Sequence, residues 1–201
     1  VLYTKNFKKI DKIKRVDKFN IFCPTITKHS DMDFEFFKSV EDVFFYPSNN
    51  VLVRVGEFLK KYNIDLNNTM AVLHRGNDKW KEAKILSSDK WIEIIDSKLG
   101  NQRILLQTDE KYFRDTLKEY YKDRCFTIDE MIFGNDKENN IRPYFNKTQW
   151  AIDFESVIRI ISKCNTVINH TGNCAFVPIV YRGTTKGEVQ LFNDEVYDFI
   201  T

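Results

Sequence analysis

Much of the candidate chemistry of this chain lies in one stretch, Thr69-Met-Ala-Val-Leu-His-Arg-Gly-Asn-Asp-Lys-Trp-Lys-Glu-Ala83. An apolar run ends there in five ionisable residues: His74, Arg75, Asp78, Lys79 and Glu82. A buried strand that delivers charge to one edge of a sheet has this form. Arg75 suits a phosphate, because a planar guanidinium fork meets phosphate oxygens two at a time. Glu82 is the candidate general base, since a carboxylate within reach of a hydroxyl can take its proton. The same residues also fit a purely structural loop. In that reading Arg75 or Lys79 pairs with Asp78, and Glu82 is solvated.

Two further polar clusters follow apolar runs, Gln107-Thr-Asp-Glu110 and Asn169-His-Thr-Gly-Asn173. Asp109 and Glu110 can be ligands. They can equally be acids in the first turn of a helix capped by Thr108, where negative charge suits the helix dipole. Thr171, Gly172 and Asn173 would offer backbone N–H groups at a helix start, a natural anion site. No GxGxxG follows the first strand and no GxxxxGK[ST] occurs, so dinucleotide and P-loop readings find no motif. No His/Asp/Glu grouping has metal-ligand spacing, so no metal is expected. The three histidines define no nucleophile triad, and His29 has no partner evident from sequence.

The elements that must position these residues can be read in order. Pro47-Ser-Asn-Asn50 is a turn that caps a helix with Leu52, Val55, Leu59 and Tyr62 on one face. Residues 33–40 fit helix or strand equally. Met70 to Leu73 reads as a strand covered on both faces, and Arg103 to Gln107 as the second strand. Cys125 to Ile128, Thr166 to His170 and Gly187 to Phe192 follow as three more. Between them, Ser88 caps a helix carrying Trp91, Ile95 and Leu99, closed by Gly100. A second helix carries Phe113, Leu117, Tyr120 and Tyr121. A third carries Trp150, Phe154, Val157, Ile158 and Ile161. Ala175 to Tyr181 reads as a helix with Pro178 in its first turn or at a kink, and Glu195 to Ile200 as a terminal helix. Alternating strands and helices from residue 69 onward predict an α/β, Rossmann-like parallel sheet with helices on both faces. Ligands of such sheets bind beyond the carboxyl ends of the strands, where all three polar clusters fall. A partial N-terminal region or extension, residues 1–65, precedes a domain of residues 66–201.

Composition excludes other classes. Of 201 residues, 42% are hydrophobic and 30% charged, which is globular and not disordered. The formal charge is +2, so a nucleic-acid partner is not implied. Lys5, Lys8, Lys9, Lys12, Lys14 and Arg15 against Asp11 read as a solvated amphipathic face, or as a docking surface for an anionic partner. No apolar run is long enough for a transmembrane helix and no signal peptide opens the chain. The four cysteines lack CxxC pairing and read as reduced thiols, which fits a cytoplasmic location. The first residue is Val, so the chain can be part of a longer protein.

Val72 to Ala83 resembles the first motif of the fucosyltransferase superfamily of GT-B glycosyltransferases, which includes the α1,6-, α1,2- and protein O-fucosyltransferases. In that family a strand ends in His-x-Arg followed by a polar pair. Leu105-Leu-Gln-Thr-Asp-Glu110 is similar to the second motif, and Ser162 to Ala175 to the third. The resemblance spans roughly residues 65 to 185, the nucleotide-sugar half of a GT-B fold. It implies inverting transfer of fucose, or a related sugar, from a GDP-sugar to a glycan or protein hydroxyl, with no obligatory metal or other cofactor. By position it implies that Arg75 binds the diphosphate and stabilises the leaving group. It further implies that His74, Asp78 and Lys79 line the donor site and that Asp109 recognises the nucleotide. Thr171, Gly172 and Asn173 would hold phosphate oxygens, and Glu82 would be the base. The sequence departs from the family in three places: Gly76 replaces a second arginine, His74 directly precedes Arg75, and Gly172-Asn173 replaces paired serines. A non-catalytic relative, acting as a structural or interaction module, is the alternative.

Overall fold

The computed structural model describes residues 28–76, 86–131, 146–170, 172–192 and 195–200. Two helices come first, α1 (Phe34–Phe44) and α2 (Asn49–Lys61). Then follow β1 (Thr69–His74), α3 (Ser88–Leu99), β2 (Arg103–Thr108), α4 (Lys111–Tyr121) and β3 (Cys125–Phe126). The chain closes with α5 (Lys147–Lys163), β4 (Thr166–His170), α6 (Asn173–Arg182), β5 (Glu188–Phe192) and β6 (Glu195–Asp198).

The six strands form one sheet in the order β3-β2-β1-β4-β5-β6. All neighbours are parallel except β5 and β6. The chain leaves β1 towards β3 and then returns to β4 on the other side of β1. This order, reversing between β1 and β4, is that of a doubly wound sheet. The fold is Rossmann-like.

Alternation along the strands builds a core on each face. Met70, Val72, Ile104, Leu106, Ile168 and Val189 pack with Trp91, Ile95, Phe113 and Leu117 from α3 and α4. On the other face Ala71, Leu73, Leu105 and Val167 pack with Phe34, Phe58, Val157, Ile161 and Ile179. Phe34 and Phe58 are thus buried by α1 and α2 against the same sheet. Local signals act where expected. Ser48 Oγ accepts from the Val51 amide at the start of α2, and Gly100 ends α3 with φ at +48°.

The structure corrects several expectations. Residues 195–198 form a strand, not a helix: Val189↔Asp198 through Phe192↔Glu195 pair antiparallel along the open edge of β5. Four residues carrying Val196 and Tyr197 gain more from that ladder than from a single helical turn. In α2, Val55, Leu59 and Tyr62 pack against the core as expected and are joined by buried Val51 and Phe58, but Leu52 is 43% exposed. Residues 33–40 are helical from Phe34 onward, with Asp33 Oδ1 accepting from the Phe36 amide. The cap of α3 is Ser87 rather than Ser88, and Tyr120 is exposed. Pro178 lies inside α6, beyond its first turn.

Candidate functional site

Parallel pairing decides what meets at the site. The register runs Leu73↔Gln107 and His74↔Thr108 on one side of β1, and Leu73↔Asn169 on the other. The carboxyl ends of β2, β1 and β4 therefore lie side by side on one rim. Arg75 and Gly76 emerge from β1, Asp109 and Glu110 from β2, and Gly172 from β4, which leads into α6 at Asn173. The crevice between β1 and β4 is the topological switch point, where doubly wound sheets bind ligands. Asp78, Lys79, Glu82 and Thr171 lie outside the described residues, as does the side chain of Asn173.

His74 is the fixed point of this rim. Its Nδ1 is 2.9 Å from Thr108 Oγ1, and its ring stacks on Phe113 with centroids 3.7 Å apart. The Trp91 ring meets it edge-on at 5.4 Å. Burial in this aromatic box pushes its pKa down to about 3, and the charge of nearby His170 acts in the same direction. His74 is therefore neutral at physiological pH and cannot supply positive charge to a phosphate.

Above His74, the turn after β1 is tied to the turn after β2. The Gly76 amide donates to Asp109 Oδ1 at 2.8 Å, and Arg75 Nε donates to Asp109 Oδ2 at 3.4 Å. Thr108 Oγ1 also accepts from the Glu110 amide at 3.2 Å. Glu110 Oε2 lies 3.9 Å from His74 Nε2. Asp109 and Glu110 thus precede α4, which begins at Lys111, and are not acids of its first turn. Thr108 closes β2 and braces His74 rather than capping the helix. Neither Thr108 nor Phe113 carries a sequence signal for that role; only the register across 34 residues brings Thr108 to His74. The Arg75 side chain remains 40% exposed, with its Nε on Asp109 at the end of β2.

Gly76 fits where no other residue does. A Cβ there would collide with the Glu110 carboxylate and come within 2.9 Å of His74 Cε1. The carboxylate can swing away, but the imidazole is clamped. Gly76→Ala is expected to lower stability by roughly 1–3 kcal/mol, the usual cost of overpacking. A urea-unfolding midpoint equal to that of the wild type would show that the turn yields freely.

Other chemistry is limited. Burial pushes the Cys125 and Cys164 thiols up to about 12, so neither is a thiolate near neutral pH. Among the described residues, no three His, Cys, Asp or Glu side chains come together as a metal site. Among the same residues, no helix is long and apolar enough to cross a membrane.

No family model matches this sequence, and no curated protein matches it. Among solved structures, the chain is similar to a NodZ alpha-1,6-fucosyltransferase co-crystallized with GDP. The identity is 13% and the TM-score 0.46, over 75% of this chain and 47% of that one. The chain thus spans about half the length of that structure. A likeness so slight decides nothing about ligand or reaction, and the fold rests on the sheet order and register alone.

Proposed function

We propose that this chain binds a nucleotide sugar as the donor-binding half of a GT-B glycosyltransferase of the fucosyltransferase type. In this reading a GDP-sugar is the donor and a glycan or protein hydroxyl is the acceptor. Residues 66–201 form the nucleotide-sugar domain, and residues 1–65 an acceptor-side region or extension. The observation that carries the reading is the placement of Arg75 at the switch point, across the crevice from the start of α6. An arginine and a helix start on the two strands that flank one crevice suit a diphosphate. Asp109 aligns Arg75 and anchors the Gly76 amide, so it acts on the site through the turn it holds. Glu82 is the proposed base, Asp78 and Lys79 line the donor site, and Thr171 to Asn173 take phosphate oxygens. No metal is required, because Arg75 and the helix start supply the positive field.

Calorimetry with GDP, UDP and ADP on wild type and Arg75→Ala tests this. GDP binding that weakens about 10- to 100-fold in the variant is expected, the usual cost of one charge-assisted pair. Lack of affinity for any nucleoside diphosphate would sink the proposal. Equal affinity in the variant would remove Arg75 from the site. Binding without transfer or hydrolysis of any GDP-sugar would favour a non-catalytic relative, acting as a structural or interaction module.

A further inference from the structure

Beneath β4 and β5, on the face opposite His74, lies a polar cluster with no part in the proposed site. His29, Asn169, Glu188 and Gln190 are each fully buried. His29 Nδ1 is 2.5 Å from Glu188 Oε1, and Asn169 Nδ2 donates to the same oxygen at 2.7 Å. The His29 amide donates to Gln190 Oε1 at 2.8 Å. The cluster is walled by the rings of Phe34 and Phe176, which lie 5.3 and 6.0 Å from the His29 imidazole.

The orientation of the Asn169 amide is fixed by chemistry: only its NH₂ can donate to Glu188 Oε1, so its oxygen is the other terminal atom. That oxygen, Oδ1, and the second carboxylate oxygen, Glu188 Oε2, are both buried with no hydrogen-bond partner among the described residues. Both are acceptors, so they cannot satisfy each other while Glu188 is ionised. They belong to two side chains already joined by the Nδ2–Oε1 bond, which holds the two orphaned oxygens near each other. The third unpaired atom of the cluster is His29 Nε2, the ring nitrogen not bonded to Glu188. Buried acceptors left unpaired each cost a sizeable share of a fold's marginal stability.

We infer that a single water molecule is bound here, donating one hydrogen to Asn169 Oδ1 and the other to Glu188 Oε2. One water has two donors, and the Glu188–Asn169 pair has two orphaned acceptors. The result is a closed ring of hydrogen bonds through Glu188, Asn169 and the water. Such a site fits the general rule that buried waters bridge otherwise unsatisfied polar groups. It also firms the carboxylate through which His29 anchors the residues ahead of α1 to β4 and β5. The inference is independent of the nucleotide-sugar reading, since none of the side chains proposed to hold the donor takes part and Asn169 points to the opposite face of the sheet from His74.

A high-resolution crystal structure of the unmodified chain tests it without any variant. Density for one ordered water at about 2.7–3.2 Å from both oxygens is expected. A cross-peak between the Asn169 side-chain amide protons and a long-lived water should accompany it in solution. Two results would overturn the inference. One is a direct short contact between Glu188 Oε2 and Asn169 Oδ1, meaning that a protonated carboxyl makes the bond itself. The other is a dry gap with neither contact nor cross-peak. Asn169→Leu removes one acceptor and should abolish the water signal; if that variant does not fold, the wild-type measurements still decide.

Discussion

Replacing Trp91 by Ala is expected to produce the largest loss of stability of any single substitution in the α3 layer, about 3–5 kcal/mol. Trp91 is fully buried, at the centre of the core that α3 and α4 build on the sheet. Its ring meets Phe113 edge-on at 5.5 Å and His74 at 5.4 Å, so the cavity would open beneath the site rim. Neighbouring Ile95, Phe113 and Leu117 are themselves fully or almost fully buried and held by regular helices, which limits collapse into the space. Chemical denaturation at neutral pH measures this, and a loss below about 1.5 kcal/mol would mean that the layer repacks. Trp91→Phe, which keeps an aromatic edge towards His74, should lose well under half as much.

The sheet is largely legible in the sequence because its central strands are covered on both faces. Met70 to Leu73, Leu105 and Val167 lie in apolar runs bounded by polar residues, a pattern that survives without knowledge of neighbours. Trp91, Ile95, Leu99, Phe113 and Leu117 are legible as helix faces for a similar reason, since each recurs at three or four. Leu52 is not. Its spacing suits the face of Val55 and Leu59, but Ser156 Oγ donates to the Val51 carbonyl and Arg54 Nε to Asp153 Oδ1, contacts that turn Val51 towards α5. Residues 195–198 mislead because a single turn of helix and a short edge strand look alike until a partner strand is known. The three strand ends of the site can be placed on one rim from the fold class alone. What they do to each other cannot. Asp109 on the Gly76 amide and Thr108 on His74 depend on the β1–β2 register, and His29 on Glu188 joins residues 159 apart in sequence.

The second large effect is a dependence of stability on pH that His74 imposes. Folding lowers its pKa from 6.5 to about 3, because the charged ring would be stripped of water between Phe113 and Trp91. The unfolded chain therefore binds a proton that the folded chain refuses throughout the range between those values. Stability from this group is fully present above pH 6.5, falls as pH drops, and is gone below about pH 3. With one proton at stake, the loss between pH 7 and pH 5 is about 2 kcal/mol, rising to on the order of 5 kcal/mol at the acid limit. Urea unfolding of wild type and His74→Gln at pH 7 and pH 5 isolates the contribution, since His29, His170 and the carboxylates are common to both. The variant should start less stable at pH 7, having lost the stack on Phe113, yet lose less on acidification. Equal losses in the two proteins would mean that His74 takes up its proton in the folded state as readily as in the unfolded one. A reduced loss in the variant would show that His74, at the base of the rim, is held neutral by its burial in the aromatic box.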